Sequence, residues 1–286
     1  MHMKNEESST LLKFTKKLQS QGRYSFSKKE TIASLKISSD AFKIAAWRLI
    51  KKKHLIRPKH NFYVIVPLEY LSSGSPPVSW FIDDLMQYLK IPYYVGLLTA
   101  AAIYGAGHQQ PNVFQIITTK TIRPININSI TIDFICSNLL KKSPIKKIQT
   151  PTGYMNVSTP ETTAYDLVKY LPLVGHINNV ATILIELTEK IQEDKLVKIA
   201  QKVAPVRSTQ RLGYILDYIN SRINTDRLAQ VIQKKKAQYI PLVYGKKIVK
   251  TDFTKKNSSK NKDGNRSERW KILINETIEP DLDYDT

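Results

Sequence analysis

Apolar residues recur with a helical period at the start of the chain. Leu11, Leu12, Phe14 and Leu18 stand among lysines across Thr10–Gln21, and Gly22 is a natural helix stop. Tyr24 and Phe26 alternate with polar neighbours, which predicts a short strand. Ser27-Lys28-Lys29-Glu30 has the spacing of a capping box, in which the Ser hydroxyl holds the third amide and the Glu reaches back. It starts a second helix over Lys28–Leu35. Ser38 or Ser39 caps a third, running to about Lys52. There Phe42, Ala45, Ala46, Leu49 and Ile50 fall at i, i+3, i+4, i+7 and i+8, forming one core-facing stripe. Leu55-Ile56-Arg57, a turn at Pro58–Asn61, and Phe62–Val66 read as a β-hairpin with a basic tip.

The pattern then changes. Ser72–Pro77 (SSGSPP) reads as a linker, because Gly and paired Pro disfavour helix and strand interiors. Pro76-Pro77 opens a helix containing Trp80, Phe81, Leu85 and Leu89, and Tyr93–Tyr104 reads as an alanine-rich helix stopped at Gly105. Strands are expected at Val113–Thr118 and Ser129–Cys136, and a hairpin at Ile145–Gln149 and Tyr154–Val157 around Pro151-Thr152-Gly153. Helices follow from Thr159-Pro160-Glu161 to about Tyr170, then over 178–191, 194–203, 208–222 and 225–236. The fold class expected is α+β. Residues 1–70 form a winged helix-turn-helix, 71–77 a linker, and 78–250 a mixed α/β domain with a small sheet and a helical C-terminal part. Residues 251–286 form a disordered low-complexity tail, judged from KKNSSKNKDGN at 255–265. No internal repeat is evident.

Composition narrows the function classes. The 286 residues are 42% hydrophobic, enough to build cores, which excludes a wholly disordered chain. Cys136 is the only cysteine, so disulfide scaffolds and cysteine-built zinc sites are excluded and a reducing cytoplasm is expected. No apolar run approaches the roughly 18 residues that span a bilayer, and Met1–Thr10 lacks a signal-peptide core. Neither membrane nor secretion is therefore expected. The net charge of +20 points to a polyanion. It is densest at the start, where residues 1–70 hold fifteen Lys and Arg against five Asp and Glu.

These observations converge on the third helix. Opposite its core stripe lie Asp40, Lys43, Ile44, Trp47, Arg48 and Lys51. A helix fits the major groove, and its cations neutralise phosphates. Lys43 and Arg48 are the groove-side cations, with Lys51 on the same outer face among the DNA-binding residues; Arg57, Lys59 and His60 sit on the wing, and Ser38 and Ser39 donate to phosphate at the helix start. Ile44 joins this face. Trp47 has two readings, stacking on sugar or base, or packing against another part of the chain. A plain solvated helical face is the simpler account of such charge; the order of elements and the basic wing favour double-stranded DNA.

Other constellations carry less. His2, His54, His60, His108 and His176 lack metal-ligand spacing, and Gly105-Ala106-Gly107 lacks the third glycine of a dinucleotide loop. Glu193-Asp194-Lys195 has a nuclease-like spacing but falls between helical patterns. Asp83-Asp84 cannot pair as D-x-D on a strand does, because neighbours on a helix diverge by about 100°. Asp281, Asp283 and Asp285 lack the closing residues of a calcium loop and read as a solvated acidic tail. His108-Gln109-Gln110 reads either as a binding cluster or as a hydrogen-bonded helix-to-strand turn. No catalytic residue, cofactor or metal is expected.

Longer blocks carry a resemblance. Trp80–Met86, Tyr93–Pro111, Thr150–Tyr154 followed by Ser158–Val168, Asn178–Thr182 and Gln210-Arg-Leu-Gly-Tyr214 together resemble the AbiEi family of antitoxins, as does Phe62-Tyr-Val-Ile-Val-Pro67. The resemblance covers roughly residues 8–240. It implies the antitoxin of a type IV toxin–antitoxin pair, linked to abortive infection. A winged helix would repress the shared operon at promoter repeats. A second domain would counteract a nucleotidyltransferase-like toxin without a stable complex. The family's third helix is often richer in arginine than this chain, which has Ile44 and Trp47. A stand-alone winged-helix regulator and a nucleic-acid-processing enzyme remain the alternatives.

Overall fold

The computed structural model describes residues 3–107, 111–246 and 266–281. Contacts divide the chain into two compact units. One comprises Met1–Val95, Asn112–Leu140 and Lys146–Val157; the other comprises Gly96–Pro111, Lys141–Ile145 and Ser158–Thr286.

The first unit begins with α1 (Met3–Ser20), β1 (Ser25–Ser27), α2 (Lys28–Leu35), α3 (Ser39–Lys51), β2 (Leu55–Lys59) and β3 (Phe62–Ile65). The three strands form a sheet in the order β1-β3-β2, antiparallel throughout. Its register shifts between Ile56 and Lys59, where Pro58 has no amide to donate. Leu11 and Leu18 from α1, Phe42, Ala45, Ala46 and Leu49 from α3, and Phe26, Leu55, Tyr63 and Ile65 from the sheet share one core. The ring of Phe26 stacks on Tyr63, and Phe42 meets Tyr63 edge-on. The capping-box half that matters is present, with the Glu30 amide donating to Ser27 Oγ at 3.1 Å. The Glu30 carboxylate does not reach back; it pairs with Arg23 at 2.8 Å.

The Ser72–Pro77 connection is packed. Gly74, Ser75 and Pro76 are buried, and Asn128 Nδ2 donates to the Gly74 carbonyl at 2.7 Å. A short 3₁₀ turn (Val78–Trp80) precedes α4 (Ile82–Leu89). A six-stranded mixed sheet follows, built from β4 (Tyr93–Val95), β5 (Val113–Thr118), β6 (Ile125–Ile127), β7 (Ile130–Cys136), β8 (Ile145–Thr150) and β9 (Gly153–Ser158). Its order is β6-β7-β5-β4-β9-β8. β5 runs parallel to β7 and antiparallel to β4, and β4 runs parallel to β9.

The alanine-rich helix expected over Tyr93–Tyr104 is corrected here. Tyr93-Tyr94-Val95 is a buried strand, as aromatic and β-branched residues favour, and α5 spans only Leu97–Ile103 beyond Gly96.

Among the described residues the second unit holds α5 and the α-helices α6 (Pro160–Lys169), α7 (His176–Leu187), α8 (Glu193–Lys202), α9 (Val206–Tyr218) and α10 (Asp226–Lys234). Every residue from Glu161 to Val168 is buried, so α6 is the central helix, packed against α5, α7, α8 and α9. Thr159 caps it, accepting from the Thr162 amide at 3.3 Å, with Pro160 in the first turn. A small sheet joins β10 (Ile240–Pro241) to β12 (Ile272–Leu273), and β12 to β11 (Arg266–Ser267).

That sheet overturns part of the disordered tail expected over 251–286. Residues 251–265 and 282–286 lie outside the described residues, but 266–281 are bound to the helices. Trp270 is 1% exposed and donates from Nε1 to Asp217 Oδ2 at 2.7 Å. The low-complexity composition of residues 255–265 hid an anchor that follows it. The Asp281 amide donates to Thr182 Oγ1 at 2.8 Å, so Asp281 is tied down at its backbone; Asp283 and Asp285 lie outside the described residues. No helix among the described residues is long and apolar enough to cross a membrane.

Candidate nucleic-acid interface

The third helix is held by its own sequence. Ser38 is extended and its Oγ accepts from the Ala41 amide at 3.1 Å, so Ser38, not Ser39, is the N-cap of α3. Ser39 accepts instead from Lys28 Nζ at 2.8 Å. This brings a lysine from the start of α2 to the start of α3. The Lys28 amide also donates to the Asn61 carbonyl in the hairpin turn, at 2.9 Å. The beginnings of two helices and the hairpin tip are therefore tied together at one place.

The core stripe of α3 is buried as the period predicts, apart from the half-buried Ile50. On the other face Lys43, Ile44, Trp47 and Lys51 are exposed and Arg48 is half-buried. Lys43 pairs with Asp40 at 2.9 Å, and the ammonium holds the Asp40 carboxyl below the usual carboxylate range. Both groups are open to water, so the pair adds little to stability. Ile44 is 41% and Trp47 56% exposed, one helical turn apart on the face away from the core. Lys51 Nζ lies 4.2 Å from the Trp47 ring centroid. Trp47 thus presents its ring to solvent with a cation over it.

Arg57 and His60 are exposed on the hairpin and Lys59 is half-buried. The His60 carbonyl accepts from Tyr88 Oη of α4 at 3.1 Å, and Phe62 and Tyr88 meet at a ring-centroid distance of 5.2 Å. The ten residues singled out by sequence therefore lie on two elements, the start and outer face of α3 and the β2–β3 hairpin. Lys28 was missed. Only the tertiary contact with Ser39 reveals it, although its place just inside a capped helix start was a usable signal.

The other candidate residues do not assemble into a site. Glu193 and Asp194 sit at the start of α8 and pair with Arg227, the former at 3.6 Å. Asp83 and Asp84 diverge, binding Tyr93 and Ser25 respectively. Among the described residues no group of three or more His, Cys, Asp or Glu could hold a metal ion. His108-Gln109-Gln110 lies outside the described residues.

The span from β4 to the end of α9, with its mixed sheet and the central helix α6, is where comparison with known proteins decides. Residues 94–218 match the AbiEi antitoxin C-terminal domain. The AbiEi match includes Ser158–Val168, Asn178–Thr182 and Gln210–Tyr214, three of the blocks that carried the resemblance. It supports an antitoxin role in a toxin–antitoxin system, in a family that is regulatory and not enzymatic. Among solved structures, the RV2827C protein from Mycobacterium tuberculosis is similar in fold, with a TM-score of 0.59 at 13% identity over 91% of this chain and 89% of that one. The likeness is one of fold, a mixed α+β chain with small sheets and helices. No curated protein matches the chain.

Proposed function

We propose that this chain is the antitoxin of a type IV toxin–antitoxin system that also represses its own operon. Residues 1–70 act as a winged helix-turn-helix on double-stranded promoter DNA. α3 enters the major groove, the β2–β3 hairpin is the wing, and Lys28, Lys43, Arg48, Lys51, Arg57, Lys59 and His60 meet phosphates. Ser38 and Ser39 mark the helix start that faces the backbone. The AbiEi domain counteracts a nucleotidyltransferase-like toxin in the cytoplasm, without a stable complex between the two.

One observation carries the DNA reading. α3 commits one stripe to the core and leaves Ile44 and Trp47 exposed among cations, beside a hairpin of basic residues. Exposed apolar side chains on a recognition helix can meet thymine methyls or sugar faces, while the lysines supply affinity.

Operator binding as a function of salt tests it. If six or more phosphates are neutralised, affinity falls by about 10³ or more between roughly 50 and 200 mM salt. Lys43→Ala with Arg48→Ala should weaken binding and flatten the slope by about two ion equivalents. An unchanged slope means that DNA meets another face.

A further inference from the structure

The outer face of α3 has an internal order. At about 100° per residue, Asp40, Ile44, Trp47 and Lys51 stack at i, i+4, i+7 and i+11 into one column. That column lies opposite the core stripe of Phe42, Ala45, Ala46 and Leu49. Lys43 and Arg48 fall on its two flanks. Asp40 begins the column and takes Lys43 at 2.9 Å; Lys51 ends it, with its ammonium 4.2 Å from the Trp47 ring centroid. Ile44 and Trp47 hold the middle, both exposed. Apart from the indole N–H, the middle of the column therefore presents hydrocarbon and no hydrogen-bonding group.

A helix lying in the major groove turns its central column to the base edges and its flanks to the two phosphate walls. Lys43 and Arg48 are placed for the walls, which leaves Ile44 and Trp47 to meet the bases. A base donor or acceptor covered by an isoleucine loses its water and gains no hydrogen bond, so such a pairing is disfavoured. The apolar group that the major groove offers is the thymine C5 methyl. Arginine at these places would read guanine O6 and N7 instead. We propose, resting on the DNA-binding reading above, that Ile44 and Trp47 determine operator specificity by packing on thymine C5 methyls. Three residues of helix rise about 4.5 Å, against about 3.4 Å from one base pair to the next, so the two side chains reach neighbouring pairs.

Binding of the full chain to a duplex of its own promoter, made with thymine or with uracil throughout, tests this. Uracil keeps every hydrogen-bonding group of thymine and lacks the methyl. The uracil duplex should bind about tenfold more weakly, since each buried methyl is worth about fourfold. Ile44→Ala with Trp47→Ala should hold the two duplexes within about twofold of each other. Lys43→Ala with Arg48→Ala should weaken both alike and keep the ratio. Equal affinity of the wild-type chain for the two duplexes overturns the proposal and leaves DNA binding standing. So does a ratio that survives in a folded Ile44→Ala/Trp47→Ala chain, because the methyls then act through DNA shape. If that chain unfolds, Ile44→Ala alone decides, and an unchanged ratio overturns the proposal. No binding of either duplex overturns the DNA reading and this inference with it.

Discussion

A Cβ on Gly213 would lie 2.1 Å from the indole ring of Trp270, so α9 accepts the C-terminal segment only because this position has no side chain. One turn to either side, Gln210 Nε2 donates to the carbonyls of Gln238, Trp270 and Lys271, and Asp217 accepts from the indole. Gly213→Ala should therefore destabilise the fold by about 1–3 kcal/mol through overpacking. Trp270→Ala should cost about 3–5 kcal/mol through the lost ring. In urea melts the two should not add: once Trp270 is gone, the alanine at 213 should cost almost nothing. Equal cost in both backgrounds contradicts this packing.

The Gly213–Trp270 pair also marks what could not be read along the chain. Gly213 sits inside a helical pattern, where it counts as a weak helix former until its partner 57 positions later is known. Trp270 follows a lysine- and asparagine-rich run whose composition argues for a tail. In contrast, α3 was legible almost to the residue, because its stripe, its cap and its flanking turn are all local signals. Tyr93–Val95 misled because it precedes a true helix and becomes a strand only by lying between β5 and β9, neither of which is adjacent in sequence. The outer face of α3 was readable from period alone; the arrival of Lys28 beside Ser39 was not.

The two serines before α3 should behave differently. Ser38→Ala removes the cap and should cost about 1 kcal/mol of stability in thermal or urea unfolding. Ser39→Ala removes only an exposed contact with Lys28 and should stay within about 0.5 kcal/mol. Reversal of that order would mean that the helix starts one residue later.

Asp84 gives a pH dependence of defined sign. Burial raises its carboxyl above the ordinary value of 3.8, with Asp83 and Glu30 adding to the rise and the Ser25 hydrogen bond and Arg23 opposing it. Between the unfolded and folded values the native state holds the extra proton. Stability from this group is thus present at low pH and lost as pH rises through the folded value. Asp84→Asn should flatten that loss, so its gain over wild type is absent well below the ordinary value, appears as pH rises through it and levels off above the folded value. A gain that is constant across this window contradicts the assignment.

The separation of repression from antitoxicity is tested most directly by growth. Deleting residues 1–70 is a poor instrument, because Tyr24 packs on Trp80, Ser25 bonds Asp84 and Phe62 meets Tyr88 within the same unit. Full-length chain and the Lys43→Ala/Arg48→Ala variant should instead be co-expressed with the product of the adjacent open reading frame, its level fixed by an unrelated promoter. Rescue by both, with operator binding lost only in the variant, is the predicted result. Failure of the wild-type chain to rescue growth from a toxic neighbour contradicts the antitoxin reading.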